Sequence, residues 1–253
     1  AFLGIGAGEP MNLSPFGLKL EKPVKTLKEA IQLIKGLWTA TKEHPLNFNG
    51  EIFKADNASL GLTSIQKPGP PVYVGALGPK TRGITGELAD GWVPYVHALS
   101  NYGRLVEDVR NSAKKMRRNP SQIDMVANIP VLLLESDEPD RRKEIRRRLA
   151  IRLLLETNTL RDLGWTQEIP SEICQANMIV EQSISKKLEQ EADKIPIEIA
   201  EQIAAIGTSS QIIETLESYK KLGATHFLIR LMGKDVQKNL SDFGTKVISA
   251  MKN

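Results

Sequence analysis

The segment Val74-Gly75-Ala76-Leu77-Gly78-Pro79-Lys80 carries the clearest chemical signal in the chain. An apolar strand turns through glycines directly into a helix. The first N–H groups of a helix have no partner within it, and the helix dipole favours negative charge at that end. Pro79 fits the first turn, where its missing N–H costs nothing, and Lys80 adds positive charge at the edge. This layout suits a phosphate. The full P-loop spacing is missing, so nucleotide hydrolysis is not supported. A tight βα turn with no ligand has the same pattern, and the letters alone leave both readings open.

Gly4-Ile5-Gly6-Ala7-Gly8 invites a dinucleotide-binding reading, which fails in detail. The G-x-G-x-x-G spacing would need glycine at Glu9 or at Met11, and no helix is expected before about Lys22. What remains is a strand end where the backbone passes close to something. In Glu87-Leu88-Ala89-Asp90-Gly91-Trp92, Asp90 and Gly91 make a turn over a packed Trp92, which is a better reading than a catalytic Asp90. The basic run from Arg141 to Arg152 has no interleaved aromatic residue to stack on bases. A solvated helix face or an oligomer contact fits it better than RNA binding. No Ser-His-Asp arrangement is visible, and Glu9 gains no acid–base role from its spacing. His44, His97 and His226 lie far apart and Cys174 is alone, so neither a metal site nor a disulfide framework is expected. The catalytic residues stay unassigned.

The elements that must position these residues belong to an ordinary globular chain. It has 253 residues, 41% hydrophobic and 25% charged, with a formal net charge of +4. That composition excludes a disordered chain. No apolar run reaches the ~20 residues of a membrane helix, and no secretory leader is visible at the start. A cytoplasmic protein acting on a small molecule, without nucleic acid or membrane partners, is the expectation. The length suits a (β/α)8 barrel of about 250 residues.

Strands are expected at Phe2, Val72, Trp92, Met125 and Phe227, with a small Asn49-Gly50 hairpin outside the main sheet. Val24, Leu27, Ile31, Ile34 and Trp38 predict an amphipathic helix over about Lys22 to Ala40. Further helices are expected at about Thr81–Ala89, around Tyr102–Met116, over Ser210–Leu222 with Ser209 or Ser210 as its cap, and over Val236–Met251. The order argues for parallel βαβ units. Residues 137–205 lack strand signals and read as a helical insertion. The chain opens with Phe2–Ile5 already reading as a core strand, from which further sequence upstream is expected.

Leu3-Gly4-Ile5-Gly6-Ala7-Gly8, Glu21-Lys22-Pro23-Val24 and Leu27 through Trp38 together resemble the bacterial luciferase-like superfamily. Pro71 through Lys80, followed by Glu87-Leu88-Ala89-Asp90-Gly91-Trp92, strengthens the likeness. The Phe16-Gly17 to Pro23-Val24 stretch is most similar to methylenetetrahydromethanopterin reductase and its deazaflavin-dependent relatives. The likeness covers about Ala1 to Leu134 and resumes from about Ile203 to Asn253. It implies a single luciferase-like α/β domain over 1–253, a (β/α)8 TIM barrel with the 137–205 insertion, incomplete at its N-terminus because the family's first strands lie upstream of Gly4.

The resemblance further implies an oxidoreductase that binds coenzyme F420 or, alternatively, FMN at the strand ends. The implied cofactor contacts are Gly75, Ala76, Leu77 and Gly78, with Pro79 and Lys80 at the edge, and Gly6, Ala7 and Gly8 at another strand end. The protein would form a homo-oligomer. An FMN-dependent monooxygenase and a non-catalytic flavin-binding remnant are the competing readings.

Overall fold

The structure is a computed structural model that describes residues 1–136, 138–173 and 182–251. Asp137 and Cys174 lie outside the described residues. The chain separates into two compact units, one of residues 1–93 and 107–124, the other of 94–106 and 125–253.

The first unit opens with strand β1 (Leu3–Gly6), a four-residue helix α1 (Pro10–Leu13), and helix α2 (Pro23–Thr39). Pro23 occupies the first turn of α2, and Leu27 and Ile31 are buried on its apolar face, as the spacing predicts. α1 corrects the expectation of no helix before about Lys22. Pro10 starts it, and a 3-10 turn, Ser14–Phe16, follows it.

Strands β2 (Leu46–Asn49) and β3 (Lys54–Ala58) form the antiparallel hairpin around Asn49-Gly50. Glu29 of α2 anchors it, its carboxylate accepting N–H groups of Glu51, Ile52 and Phe53 at 3.0, 2.8 and 3.1 Å. Desolvation raises the pKa of Glu29, but these three donors outweigh it and hold the carboxyl below its ordinary value.

Strand β4 (Val72–Gly75) lies parallel to β1, with Gly6 beside Gly75. Helix α3 (Pro79–Leu88) leads to β5 (Gly91–Trp92), which pairs in parallel with β4 through Tyr73 and Val74. A Cβ on Gly91 would lie 2.6 Å from the Tyr73 ring, so this position admits only glycine unless the ring moves.

Helix α4 (Leu99–Lys115) precedes the long strand β6 (Asp124–Leu133) of the second unit. Helices α5 (Pro139–Leu155), α6 (Thr157–Asp162), α7 (Gln182–Lys194) and α8 (Ile197–Ala200) occupy the strand-poor stretch. Ile145, Leu149 and Leu153 recur at four-residue steps in α5 and are buried against Leu132, Leu134, Ile195 and Ile203. Burying a side chain of this size contributes roughly 1.5–3 kcal/mol.

Two expectations are corrected here. Strand β7 (Ala205–Gly207) pairs in parallel with β6 where the sequence shows only the end of the helical stretch. Helix α9 (Ser209–Lys221) is capped by Thr208, which forms a reciprocal capping box with Gln211, rather than by Ser209 or Ser210. Gly223, with φ of 104°, follows the helix end in a conformation that favours glycine. Strand β8 (His226–Leu231) pairs in parallel with β6 over six residues. Helix α10 (Val236–Phe243) continues through a π-helical stretch, Gly244–Ile248, to Met251. Both units are thus parallel βα structures, the α/β class expected for the luciferase-like fold.

Candidate functional site

The turn after β4 is built by three side chains that seize its carbonyls. The Trp92 indole N–H donates to the Ala76 carbonyl at 2.9 Å. The Arg82 guanidinium donates to the Leu77 carbonyl, and the same side chain reaches Asp108 at 2.8 and 3.1 Å. The Gly78 carbonyl accepts the Thr81 hydroxyl at 2.9 Å and the Arg82 N–H at 3.0 Å. Trp92 and Arg82 are both buried.

A trans peptide sets its N–H opposite its carbonyl. Turning the Ala76 and Leu77 carbonyls into the protein therefore turns the Leu77 and Gly78 N–H groups away from it. Neither N–H has a hydrogen-bond acceptor among the described residues. Gly78 is the N-cap of α3, contributes no side-chain cap, and no acidic residue sits in the first turn. Two free amides at an uncapped helix N-terminus make an anion cradle.

The floor beside the cradle is bare backbone. Gly6 and Gly75 are neighbours across the β1–β4 ladder, and Gly6, Gly8 and Gly75 are exposed. A Cβ on Gly6 or Gly75 would find nothing closer than 3.8 Å, and one on Gly78 nothing closer than 3.9 Å. Gly78 has φ of −78°, and Gly6 and Gly75 are absent from the positive-φ positions. Backbone strain is therefore not the reason for glycine at Gly6, Gly75 or Gly78. They leave open ground at the C-terminal ends of two strands. A phosphate and a flat ring system fit such ground, so the residues present suit the cofactors that the sequence resemblance implies.

The remaining sequence-singled residues fall in distinct places. Ala76 is buried under the turn, whereas Pro79 and Lys80 are exposed. Lys80 lines a groove of about 680 Å³ on the helical side of the first unit, with Lys28, Gly83 and Glu87. Ala7 and Gly8 continue from β1, and Gly8 takes φ of 82°. Glu9, left without a role by its spacing, follows directly, half-buried, and accepts from the Asn12 amide at 3.3 Å. Tyr73 shares the face of β4 that carries Gly75. Its hydroxyl donates to Asp124, and burial together with that carboxylate pushes its pKa up to about 12.

Asp90 stands at the opposite end of the strand. It accepts the Val72 N–H at 2.8 Å and pairs with Lys35 at 2.8 Å, which is a structural role. Arg82 and the Trp92 indole escaped the sequence reading because their partners lie 5 and 16 residues away on other elements.

On the basic face of α5, Lys143, Arg147 and Arg148 are exposed. Arg142 pairs with Glu201 at 3.0 Å, and Arg146 and Arg147 share Asp193 at 2.9 and 2.8 Å. Ion pairs to the elements around it thus hold part of this face, and Arg152 packs on Tyr95.

The parallel βα order, with unpartnered amides and bare glycines at the C-terminal ends of β1 and β4, is of the kind found in barrel folds. The chain belongs to the luciferase-like monooxygenase family, whose model matches residues 1–226.

It is 26% identical over 259 residues to 5,10-methylenetetrahydromethanopterin reductase of Archaeoglobus fulgidus, covering 100% of this chain and 74% of that protein. It is 35% identical over 128 residues to phthiodiolone/phenolphthiodiolone dimycocerosates ketoreductase of Mycobacterium tuberculosis, covering 50% of this chain but only 33% of the ketoreductase. An F420-dependent secondary alcohol dehydrogenase, solved with an F420-acetone adduct, superposes with a TM-score of 0.77 at 20% identity, covering 98% of this chain and 69% of that one. At that identity the likeness establishes a shared fold. Among the described residues no helix is long and apolar enough to cross a membrane, and no cluster of three potential metal ligands occurs.

Proposed function

We propose that this chain is an oxidoreductase that uses coenzyme F420 to pass hydride to or from a small organic substrate. The observation that carries the reading is the pair of outward-turned N–H groups at Leu77 and Gly78, beside the Gly6–Gly75 floor. The names of the reductase and dehydrogenase relatives support it. When bound, the deazaflavin supplies the hydride chemistry itself.

The chain's own residues bind, orient and shield. Leu77 and Gly78 hold the cofactor phosphate through their amides, with Pro79 and Lys80 at the edge. Gly6, Ala7, Gly8 and Gly75 let the cofactor lie against backbone. Residues 137–205 form a helical insertion in one domain that spans 1–253. The reading extends to a cytoplasmic homo-oligomer, and sedimentation velocity measures the oligomeric state.

The family's monooxygenase description favours a second reading, in which FMN occupies the same cradle. Fluorescence titration of the protein with F420 and with FMN separates them. The proposal expects the tighter binding for F420. Binding of FMN alone would transfer the site to the monooxygenase reading, and binding of neither would defeat both.

A further inference from the structure

The second unit carries a pair of arginines without acids. Arg152 of α5 stands over the Tyr95 ring, 4.5 Å from its centroid, and Arg230 of β8 lies 5.9 Å from the same centroid. The group is locked from several sides. Arg152 Nη2 donates to the Tyr95 carbonyl at 2.8 Å, and Arg230 Nε donates to Asn128 Oδ1 at 3.3 Å. The Asn128 amide in turn donates to the Pro94 and Tyr95 carbonyls at 3.1 and 3.2 Å.

Among the described residues no carboxylate pairs with either guanidinium, whereas Arg141, Arg142, Arg146 and Arg147 of the same α5 each have one. Arg152 Nε is buried and has no acceptor. Burial, and then the charge of Arg230, lower the pKa of Arg152. Two like charges brought to one ring, one of them largely desolvated, are unfavourable unless a counter-charge completes the group. The open part of the group is Arg230, which is exposed near the C-terminal end of β8. That is the end of the strands at which barrel enzymes bind their ligands.

We infer that Arg152 and Arg230, spaced by the Tyr95 ring, seat an oxyanion of the substrate, so that the substrate is a carboxylate or a phosphate ester. Planar guanidinium forks match such oxyanions in a bidentate manner. Tyr95 sets the spacing and offers an apolar ring to the carbon skeleton next to the anion. The word substrate rests on the oxidoreductase reading; the oxyanion seat itself does not.

Inorganic phosphate is the probe. The turn at Gly78 is a second place where it could bind, so the calorimetric titration uses the Gly78→Asp protein, in which a carboxylate fills that turn. Phosphate should bind this protein, and adding Arg230→Gln should weaken it at least tenfold, with Arg230→Lys in between. Equal affinity with and without Arg230→Gln would overturn the seat. Arg230 is exposed, and unchanged thermal melting verifies that its variants fold.

A second arm titrates F420 into the wild-type protein and into Arg230→Gln. Equal affinity supports a substrate anion; a tenfold loss would overturn that assignment and give the arginines to the cofactor. Failure of the wild-type protein to bind F420, with the phosphate result intact, would remove the oxidoreductase reading and leave an oxyanion seat.

Discussion

At the scale of single residues, His97 shows how burial fixes a protonation state. It is fully buried beside the Tyr102 and Tyr219 rings, and its Nε2 accepts the Asn128 N–H at 3.0 Å. Burial, and then the charge of Arg152, push its pKa down to about 3. The unfolded chain protonates this histidine near pH 6.5, while the folded chain does not until about pH 3. Between those values the unfolded state binds the extra proton, so stability falls as pH falls. The loss is up to about 1.4 kcal/mol per pH unit from this one group. Urea melts of the wild-type protein and of His97→Gln across that window should show the slope reduced in the variant. Parallel slopes would mean that His97 is not the group responsible.

At the scale of elements, α5 and the turn after β4 make separate demands. Leu149 is fully buried in the middle of α5, and Leu149→Ala should destabilise the protein by about 2–5 kcal/mol in chemical denaturation. Trp92→Phe keeps most of the packing but orphans the Ala76 carbonyl. It should cost about 1–3 kcal/mol and loosen cofactor binding, read by the same melts and by titration. The apolar stripe of α5 was legible because Ile145, Leu149 and Leu153 repeat at helical spacing. β7 was not, since three residues, Ala-Ile-Gly, are too few to show alternation. The true cap of α9 was written in the sequence as Thr208 followed by Gln211 three residues later, a capping-box signature that the neighbouring serines obscured. The glycine turn was legible as strand, glycines and helix. Its reversal of carbonyls was not, because Trp92 and Arg82 act through tertiary contacts. Arg152, Arg230 and Tyr95 are likewise far apart in the chain, and only the tertiary fold brings both guanidinium groups to the Tyr95 ring.

For the molecule as a whole, the account turns on one claim, that F420 binds through the cradle at the end of β4. Gly78→Asp tests it with little confusion from folding. Asp is at least as good as Gly at a helix N-cap, so the variant should keep its stability or gain a few tenths of a kcal/mol. The new carboxylate would nevertheless sit where the cofactor phosphate binds and repel it. F420 titration of the wild-type and Gly78→Asp proteins, each with its thermal melt recorded, is the direct measurement. The account predicts equal or higher melting temperature with at least tenfold weaker F420 binding, about 1.4 kcal/mol. Unchanged F420 affinity in a folded Gly78→Asp protein would contradict it.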